Sequence, residues 1–138
     1  MTEPEKTYDD PPGMPEDERM TDAEFRVVRE HLGLTGDWLA NHLAVSSRTV
    51  RHWEQGKYAI PDGVRLELED LERRTGAFLD GIIPQLLDLP EPGILTYRTD
   101  EDFHTAHPEV EFPASWHRAV CARIAHEVPA LSIAYWEQ

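Results

Sequence analysis

The stretch LTGDWLANHLAVSSRTVRHWEQGK, from Leu34 to Lys57, decides the fold because it predicts two short helices joined by a tight turn. Thr35 is placed to cap the first helix and Ser46 the second, since a hydroxyl can accept a hydrogen bond from an unpaired amide of the first turn. Gly56 is placed to end the second helix. The apolar residues expected to face inward, at helical spacing, are Trp38, Leu39, Leu43, Val50 and Trp53. The pattern predicts a helix-turn-helix.

The second predicted helix carries outward residues that suit the reading of DNA bases. Arg48 lies in its first turn, where an arginine can reach the floor of the major groove and bond guanine through two hydrogen bonds. Arg51 and His52, one turn further, suit a base edge or a phosphate, and Lys57 and Tyr58 suit phosphates. The alternative is that the two arginines are ordinary solvated charges on an amphipathic helix. The predicted DNA-contacting residues are Thr35, Gly36, Ser46, Ser47, Arg48, Thr49, Arg51, His52, Lys57 and Tyr58.

Residues 24 to 60 resemble the Xre or phage-repressor type of helix-turn-helix. The resemblance implies that Arg29, on the preceding helix, pairs with Glu54. Two positions depart from that family. Gly36 stands where the family often has glutamine, so a backbone amide would have to make the phosphate contact there. Ala44 stands where glycine often makes the turn, and a left-handed backbone at alanine costs on the order of 1 kcal/mol.

A narrower resemblance covers most of the chain, from about Thr21 to about Ala125. The residues that carry it are Arg48 five before Trp53, Trp53-Glu54 with Gly56 and Lys57, Ile60-Pro61-Asp62, a leucine-rich helix, Tyr97-Arg98, Phe103 and Trp116. In this order and spacing they resemble the anti-CRISPR-associated autorepressors and the YdiL-like bacterial proteins. That resemblance implies a dimer that represses its own operon, and some members of the family also bind the messenger RNA.

The acidity of the chain is the main argument against nucleic-acid binding. Its 138 residues carry a net charge of −14, whereas phosphate attraction supplies much of the affinity in such complexes. The charge is unevenly distributed, however. Residues 21–62 hold six acidic and five basic side chains, whereas residues 1–20 hold seven and two, and residues 91–138 hold eight and three. The predicted DNA-reading segment is therefore nearly neutral, and binding should depend on a dimer with few phosphate contacts.

We expect a mainly α protein with three segments. Residues 1–19 form an acidic, proline-rich tail with a composition typical of disorder. Such tails usually only solvate a chain, although this one could also compete with DNA for the basic helix. Residues 20–90 should form a five-helix-like, lambda-repressor-like domain that ends in a long fourth helix, which Pro84 should kink or interrupt. Residues 91–138 should form a small α+β dimerisation module.

The predicted module begins after Pro90 with a short strand over residues 94–97. A brief helix capped by Thr99 and a longer helix from about residue 114 to 127 should follow, and residues 131–136 have strand-like composition that suits pairing with 94–97. The apolar stripe of the long fourth helix is wider than one helix needs, so part of it should contact this module or a second subunit. The predicted dimerisation residues are Ile82, Leu86, Tyr97, Phe103, Trp116 and Val120.

Other chemistries fit the sequence poorly. His117 and Cys121 are four residues apart and His104 and His107 three apart, a spacing that zinc would accept, but Cys121 is better explained as a small buried residue. We therefore expect no metal or other cofactor. No Ser-His-Asp order, glycine-rich phosphate loop or isolated carboxylate pair suggests an enzyme. No apolar run approaches the roughly 20 residues of a membrane span, and no signal peptide is evident, so we expect a cytoplasmic protein.

Three functions remain at this level. The first is a sequence-specific DNA-binding repressor that binds a palindromic operator as a homodimer. The second adds or substitutes an RNA stem-loop bound through the same basic face. The third is a protein-interaction role, for example an antitoxin whose C-terminal module binds a partner. The sequence gives neither the operator nor an effector molecule.

Overall fold

Six helices and a two-stranded sheet make up the part of the chain that the computed structural model describes, Pro15 and residues 19–138. The predicted tail therefore lies almost wholly outside the described residues. The elements are α1 (Asp22–His31), α2 (Gly36–Leu43), α3 (Ser47–Glu54), α4 (Asp62–Leu87), β1 (Gly93–Thr96), α5 (Asp100–Ala106), α6 (Ala114–Glu127) and β2 (Ser132–Tyr135). The prediction of a mainly α protein with a small sheet is confirmed.

Helix α1 begins at the capping box that the sequence predicts. The Thr21 hydroxyl accepts a hydrogen bond from the Glu24 amide at 3.0 Å, and the Glu24 carboxylate accepts one from the Thr21 amide at 3.2 Å. These bonds satisfy two donors that a helix start otherwise leaves unpaired. Gly33 follows the helix with φ at 69°, a left-handed conformation that glycine adopts without steric cost.

Helix α4 is a single helix of 26 residues that runs through Pro84, so the helix is not interrupted there, and the alternative, a kink, stays a prediction. Pro84 lies in the last turn and has no amide hydrogen to donate to the carbonyl of Asp80, so one helical bond is lost there. The apolar stripe also contains Thr75, which is fully buried. Its hydroxyl accepts a hydrogen bond from the indole Nε1 of Trp116 at 2.9 Å, so a polar side chain continues the stripe without an unpaired group.

The chain divides into two compact units within α4, at Glu72 and Arg73, whereas the sequence placed the division near residue 90. The second half of α4 belongs with the C-terminal unit because its side chains pack there, as Thr75 does on Trp116. The described part of the N-terminal unit contains α1, α2, α3 and the first half of α4, and no fifth helix is found there. The core residues of this unit are Phe25, Leu32, Leu34, Leu39, Leu43, Val50, Trp53, Ile60, Val64, Leu68 and Leu71.

The C-terminal unit contains the predicted sheet. Strands β1 and β2 pair in parallel, with Gly93 opposite Ser132 and Thr96 opposite Tyr135. Parallel strands need a long connection, which α5 and α6 supply. Thr99 caps α5 as predicted, since its hydroxyl accepts a hydrogen bond from the Asp102 amide. The start of α6 has no cap from its own neighbours, and the Asp100 carboxylate accepts a bond from the Ala114 amide instead.

The residues predicted to form the dimer contact lie in the core of the C-terminal unit. The rings of Tyr97 and Phe103 stack with centroids 4.8 Å apart, and Trp116 stacks on Phe112 at 4.2 Å. Side chains that are buried within their own unit offer little surface to a partner, so a dimer contact would need other, exposed residues. The residues buried in this way are Leu86, Tyr97, Phe103, Trp116 and Val120, and Ile82 is half-buried.

Two further absences concern the described residues. None of their helices is both long enough and apolar enough to cross a bilayer. They also contain no cluster of three histidine, cysteine or carboxylate side chains arranged to hold a metal ion. Cys121 is buried beside His117, with 3.6 Å between Sγ and Nδ1, and burial raises the pKa of its thiol.

His117 predicts a pH dependence of stability. Burial, together with the nearby His107 and Arg118, lowers its pKa from 6.5 to about 4, and its Nδ1 lies 2.8 Å from the Thr96 hydroxyl. Between pH 6.5 and 4 the unfolded chain binds a proton here and the folded chain does not, so folding stability falls as the pH falls through that range. The loss should reach about 3 kcal/mol.

This loss can be measured by denaturant unfolding at pH 7 and at pH 4.5. We expect His117→Asn, which keeps a polar atom near Thr96 but does not titrate, to have a smaller difference between the two pH values than the parent chain. The exposed His126 gives a matched control, and His126→Asn should leave the difference unchanged. Equal pH dependence in all three proteins would contradict the assignment to His117.

Candidate nucleic-acid interface

Helix α2 begins at Thr35 and Gly36, the first two of the predicted contact residues. The Thr35 hydroxyl accepts a hydrogen bond from the Trp38 amide at 3.0 Å. A Cβ added to Gly36 would lie 3.9 Å from a methyl of Val50, an ordinary contact, so glycine is not sterically required there. The backbone amides at this helix start are therefore the chemical group that position 36 offers to an anion.

The turn between α2 and α3 has the left-handed residue that the sequence predicts. Ala44 has φ 58° and ψ 42°, a conformation in which a Cβ crowds the following carbonyl. Backbone bonds hold it there, because the amides of Ala44 and Val45 donate to the carbonyls of Asn41 and Ala40. The turn fixes the angle at which α3 leaves α2.

The three hydroxyl side chains at the start of α3 are occupied within the chain. Ser46 caps the helix by accepting from the Thr49 amide at 3.1 Å, and the Ser46 and Thr49 hydroxyls are 2.9 Å apart. The Ser47 hydroxyl donates to the Asp37 carboxylate at 2.7 Å, a bond that joins α3 to α2. Sequence reasoning missed Asp37, because nothing local shows that a residue ten positions away meets Ser47.

The outer face of α3 gathers positive charge. The side chains of Arg48 and Arg51 are exposed, and Lys57 follows just beyond the helix. Partial burial, followed by the positive charges of Lys57, Arg48 and Arg51, lowers the pKa of His52. The Tyr58 ring contacts His52 edge to face at 5.4 Å and is itself 58% exposed. We call Arg48, Arg51, His52, Lys57 and Tyr58 the basic face.

Glu54, the one carboxylate of α3, does not lie on the basic face. Arg29 of α1 donates from Nε to Glu54 at 2.5 Å, and both side chains are only 13% exposed. The same guanidinium donates from Nη1 to the Leu34 carbonyl at 2.9 Å. The predicted ion pair is therefore formed, and it joins α1, α3 and the loop before α2. No ion pair holds Arg48, Arg51 or Lys57 within the part of the chain that the structure describes.

The inner side of α3 packs as the sequence predicts, with one exception in α2. Val50 and Trp53 are buried, and the Trp53 ring meets Phe25 edge to face at 6.0 Å. Trp38, however, is only half-buried, and it stacks on His42 at 5.0 Å rather than entering the core. The i, i+4 spacing that suits a core stripe also suits a ring pair on the flank of a helix, which explains the error.

Comparison with known proteins agrees with this geometry. The family model described as Aca2/YdiL-like matches residues 20–131. The Aca2 repressor of Pectobacterium phage ZF40 is 28% identical over 113 residues, which cover 81% of this chain and 91% of that protein. The matched range contains all six helices of the described residues and β1, and it ends at residue 131, just before β2.

Replacement of Glu54 should destabilise the N-terminal unit. Glu54→Gln leaves the largely buried guanidinium of Arg29 without a counter-charge, which should lower the free energy of unfolding by about 2 kcal/mol. The exposed pair of Arg26 and Glu30 on α1, with a 2.8 Å contact, supplies the matched control. Glu30→Gln should cost less than about 0.5 kcal/mol. Equal losses in denaturant unfolding would show that Arg29 and Glu54 do not hold α1 to α3.

Proposed function

The chain belongs to the Aca2/YdiL-like family, and from this premise we propose that it is a sequence-specific DNA-binding transcriptional repressor that acts as a homodimer. In this proposal α2 and α3 form a helix-turn-helix, and α3 enters the major groove with its first turn leading. The name of the relative from phage ZF40, a repressor, supports the proposal.

The observation that carries the proposal is the charge separation on α3. Arg48 and Arg51 on its outer side, and Lys57 just beyond it, have no ion pair with any carboxylate of the described residues, whereas Arg29 neutralises Glu54 on the inner side. A helix face of ordinary solvated charges typically alternates both signs. A nucleic acid would meet positive charge alone along α3.

The residues of the basic face have different roles in this proposal. Arg48, in the first turn, bonds a base edge, and Arg51 and His52 lie one turn further from the groove floor. Lys57 and Tyr58 contact phosphate, as do the backbone amides at Gly36. Asp37 stands beside that amide site and repels phosphate, but its bond to Ser47 holds the carboxylate at the junction of the two helices.

A homodimer would present two copies of α3 to a palindromic operator with half-sites about 34 Å apart. We place its contact on the sheet of the C-terminal unit. Every residue of β2 is exposed, Leu95 and Ile133 are 50% and 45% exposed, and the described sheet has only two strands. A strand with an unpaired edge and apolar side chains is suited to pairing with the same strand of a second copy.

Binding to the DNA upstream of the chain's own gene tests the repressor proposal. At about 150 mM salt, where non-specific binding is weak, we expect one saturable complex, and Arg48→Ala should weaken it about tenfold or more. Arg26→Ala removes the same charge from the exposed side of α1 and should change the affinity less than about twofold. Fluorescence anisotropy with labelled DNA measures both.

The other outcomes separate the remaining functions. If neither the parent chain nor the variants bind this DNA, the self-repressor proposal fails. The transcript leader should then be tested in the same assay, since an RNA stem-loop would use the same cations. If the parent chain and Arg48→Ala bind both this DNA and an unrelated duplex equally, the binding is electrostatic and Arg48 does not read a base.

A substitution on the sheet tests the dimer. Ile133→Lys places a charge on the exposed edge strand and should shift the chain from dimer to monomer at micromolar concentration, measured by sedimentation equilibrium. Val27→Lys, on the exposed side of α1, changes an apolar residue that is 65% exposed against 45% for Ile133, and it should leave the dimer intact. A dimer that survives Ile133→Lys would show that the contact lies elsewhere.

A further inference from the structure

The start of α1 lies against the end of α3. A Cβ added to Gly56 would come within 2.7 Å of the Asp22 carboxylate, so the first residue of α1 and the second residue after α3 are immediate neighbours. Phe25 and Trp53 continue this contact between the two helices. The segment that precedes α1 therefore joins the described part of the chain beside Lys57 and Tyr58, at one end of the basic face.

That preceding segment has the opposite charge to the basic face. Residues 1–18 hold seven carboxylates and a single cation, Lys6. The family match begins at residue 20, so this segment lies outside the part that the chain shares with its family. Eighteen residues can span at most roughly 60 Å, whereas an eight-residue helix such as α3 is about 12 Å long. The segment is therefore long enough to reach along the whole of α3.

We propose that residues 1–18 bind the basic face of α3 within the same chain and compete there with nucleic acid. The contact itself needs no DNA, whereas the competition rests on the proposed function. The tether gives the segment an effective concentration in the millimolar range, so even weak ion pairing occupies the face part of the time. The cations of the basic face are exposed, and salt screens attraction to such charges, so the competition weakens as the salt concentration rises.

The contact can be tested without DNA by paramagnetic relaxation. A nitroxide at Thr7→Cys should broaden the amide signals of residues 47–58 at 50 mM salt, and the broadening should fall at 500 mM. Cys121 can remain, because it is buried and its thiol has a raised pKa. Neutralisation of four carboxylates in the segment, by Asp9→Asn, Asp10→Asn, Glu16→Gln and Asp17→Asn, should reduce the broadening. Broadening that is unchanged by salt and by neutralisation would overturn the proposal, because it would reflect tethering alone.

The competition is tested by DNA affinity in the full chain. We expect the four-residue neutralised variant to bind the upstream DNA about fivefold more tightly at 50 mM salt and less than about twofold more tightly at 300 mM. The matched control removes four exposed carboxylates from the C-terminal unit, by Asp88→Asn, Glu91→Gln, Glu101→Gln and Glu127→Gln. This control should change the affinity less than about twofold.

The outcomes distinguish the two proposals. An equal gain in both variants would overturn the competition, because the gain would then follow net charge rather than the segment. Unchanged affinity in the neutralised variant would overturn it as well. If no variant binds DNA but the relaxation experiment shows the charge-dependent contact, the proposed DNA-binding function fails and the contact between the segment and α3 stands.

Discussion

The ion pair of Arg29 and Glu54 is the interaction on which the N-terminal unit depends. Helices α2 and α3 have eight residues each, too few to be stable in water by themselves, so their helical state depends on tertiary contacts. Arg29 holds Glu54 of α3 and the Leu34 carbonyl of the loop before α2 with one guanidinium. The ion pair acts together with the buried side chains of Val50 and Trp53 to set which side of α3 faces inward.

The same pair connects the fold to the charge of the exposed surface. Because Arg29 holds Glu54 on the inner side, the outer side of α3 presents Arg48, Arg51, His52 and hydroxyls, and the hydroxyls already bond one another or Asp37. The Arg29–Glu54 ion pair, whose two side chains are each 13% exposed, thus determines which groups a ligand would contact on the opposite side of α3.

Local chemistry explains which features the sequence predicts. The caps at Thr21, Thr35, Ser46 and Thr99 each involve bonds that span three residues, so the sequence shows them directly. The pairing of β1 with β2 was also predicted from composition. Two contacts between distant residues, Trp116 with Thr75 and Ser47 with Asp37, are not predicted. The sequence also assigns to a dimer contact aromatic residues that lie buried in the C-terminal unit. An apolar residue at helical spacing shows that it will be covered, but its spacing does not show whether its own chain or a partner covers it.

A net charge of −14 changes how a DNA-binding protein would gain its affinity. Long-range attraction is weak or repulsive for such a chain, so non-specific binding contributes little and sequence reading must supply more of the free energy. One eight-residue helix offers few base contacts, whereas in the proposed dimer the second copy would bind at an effective concentration that makes its contact nearly intramolecular. In that proposal acidity and dimerisation support each other, because a protein that adheres poorly to random DNA is less occupied by competing sites and would need fewer cations to bind an operator.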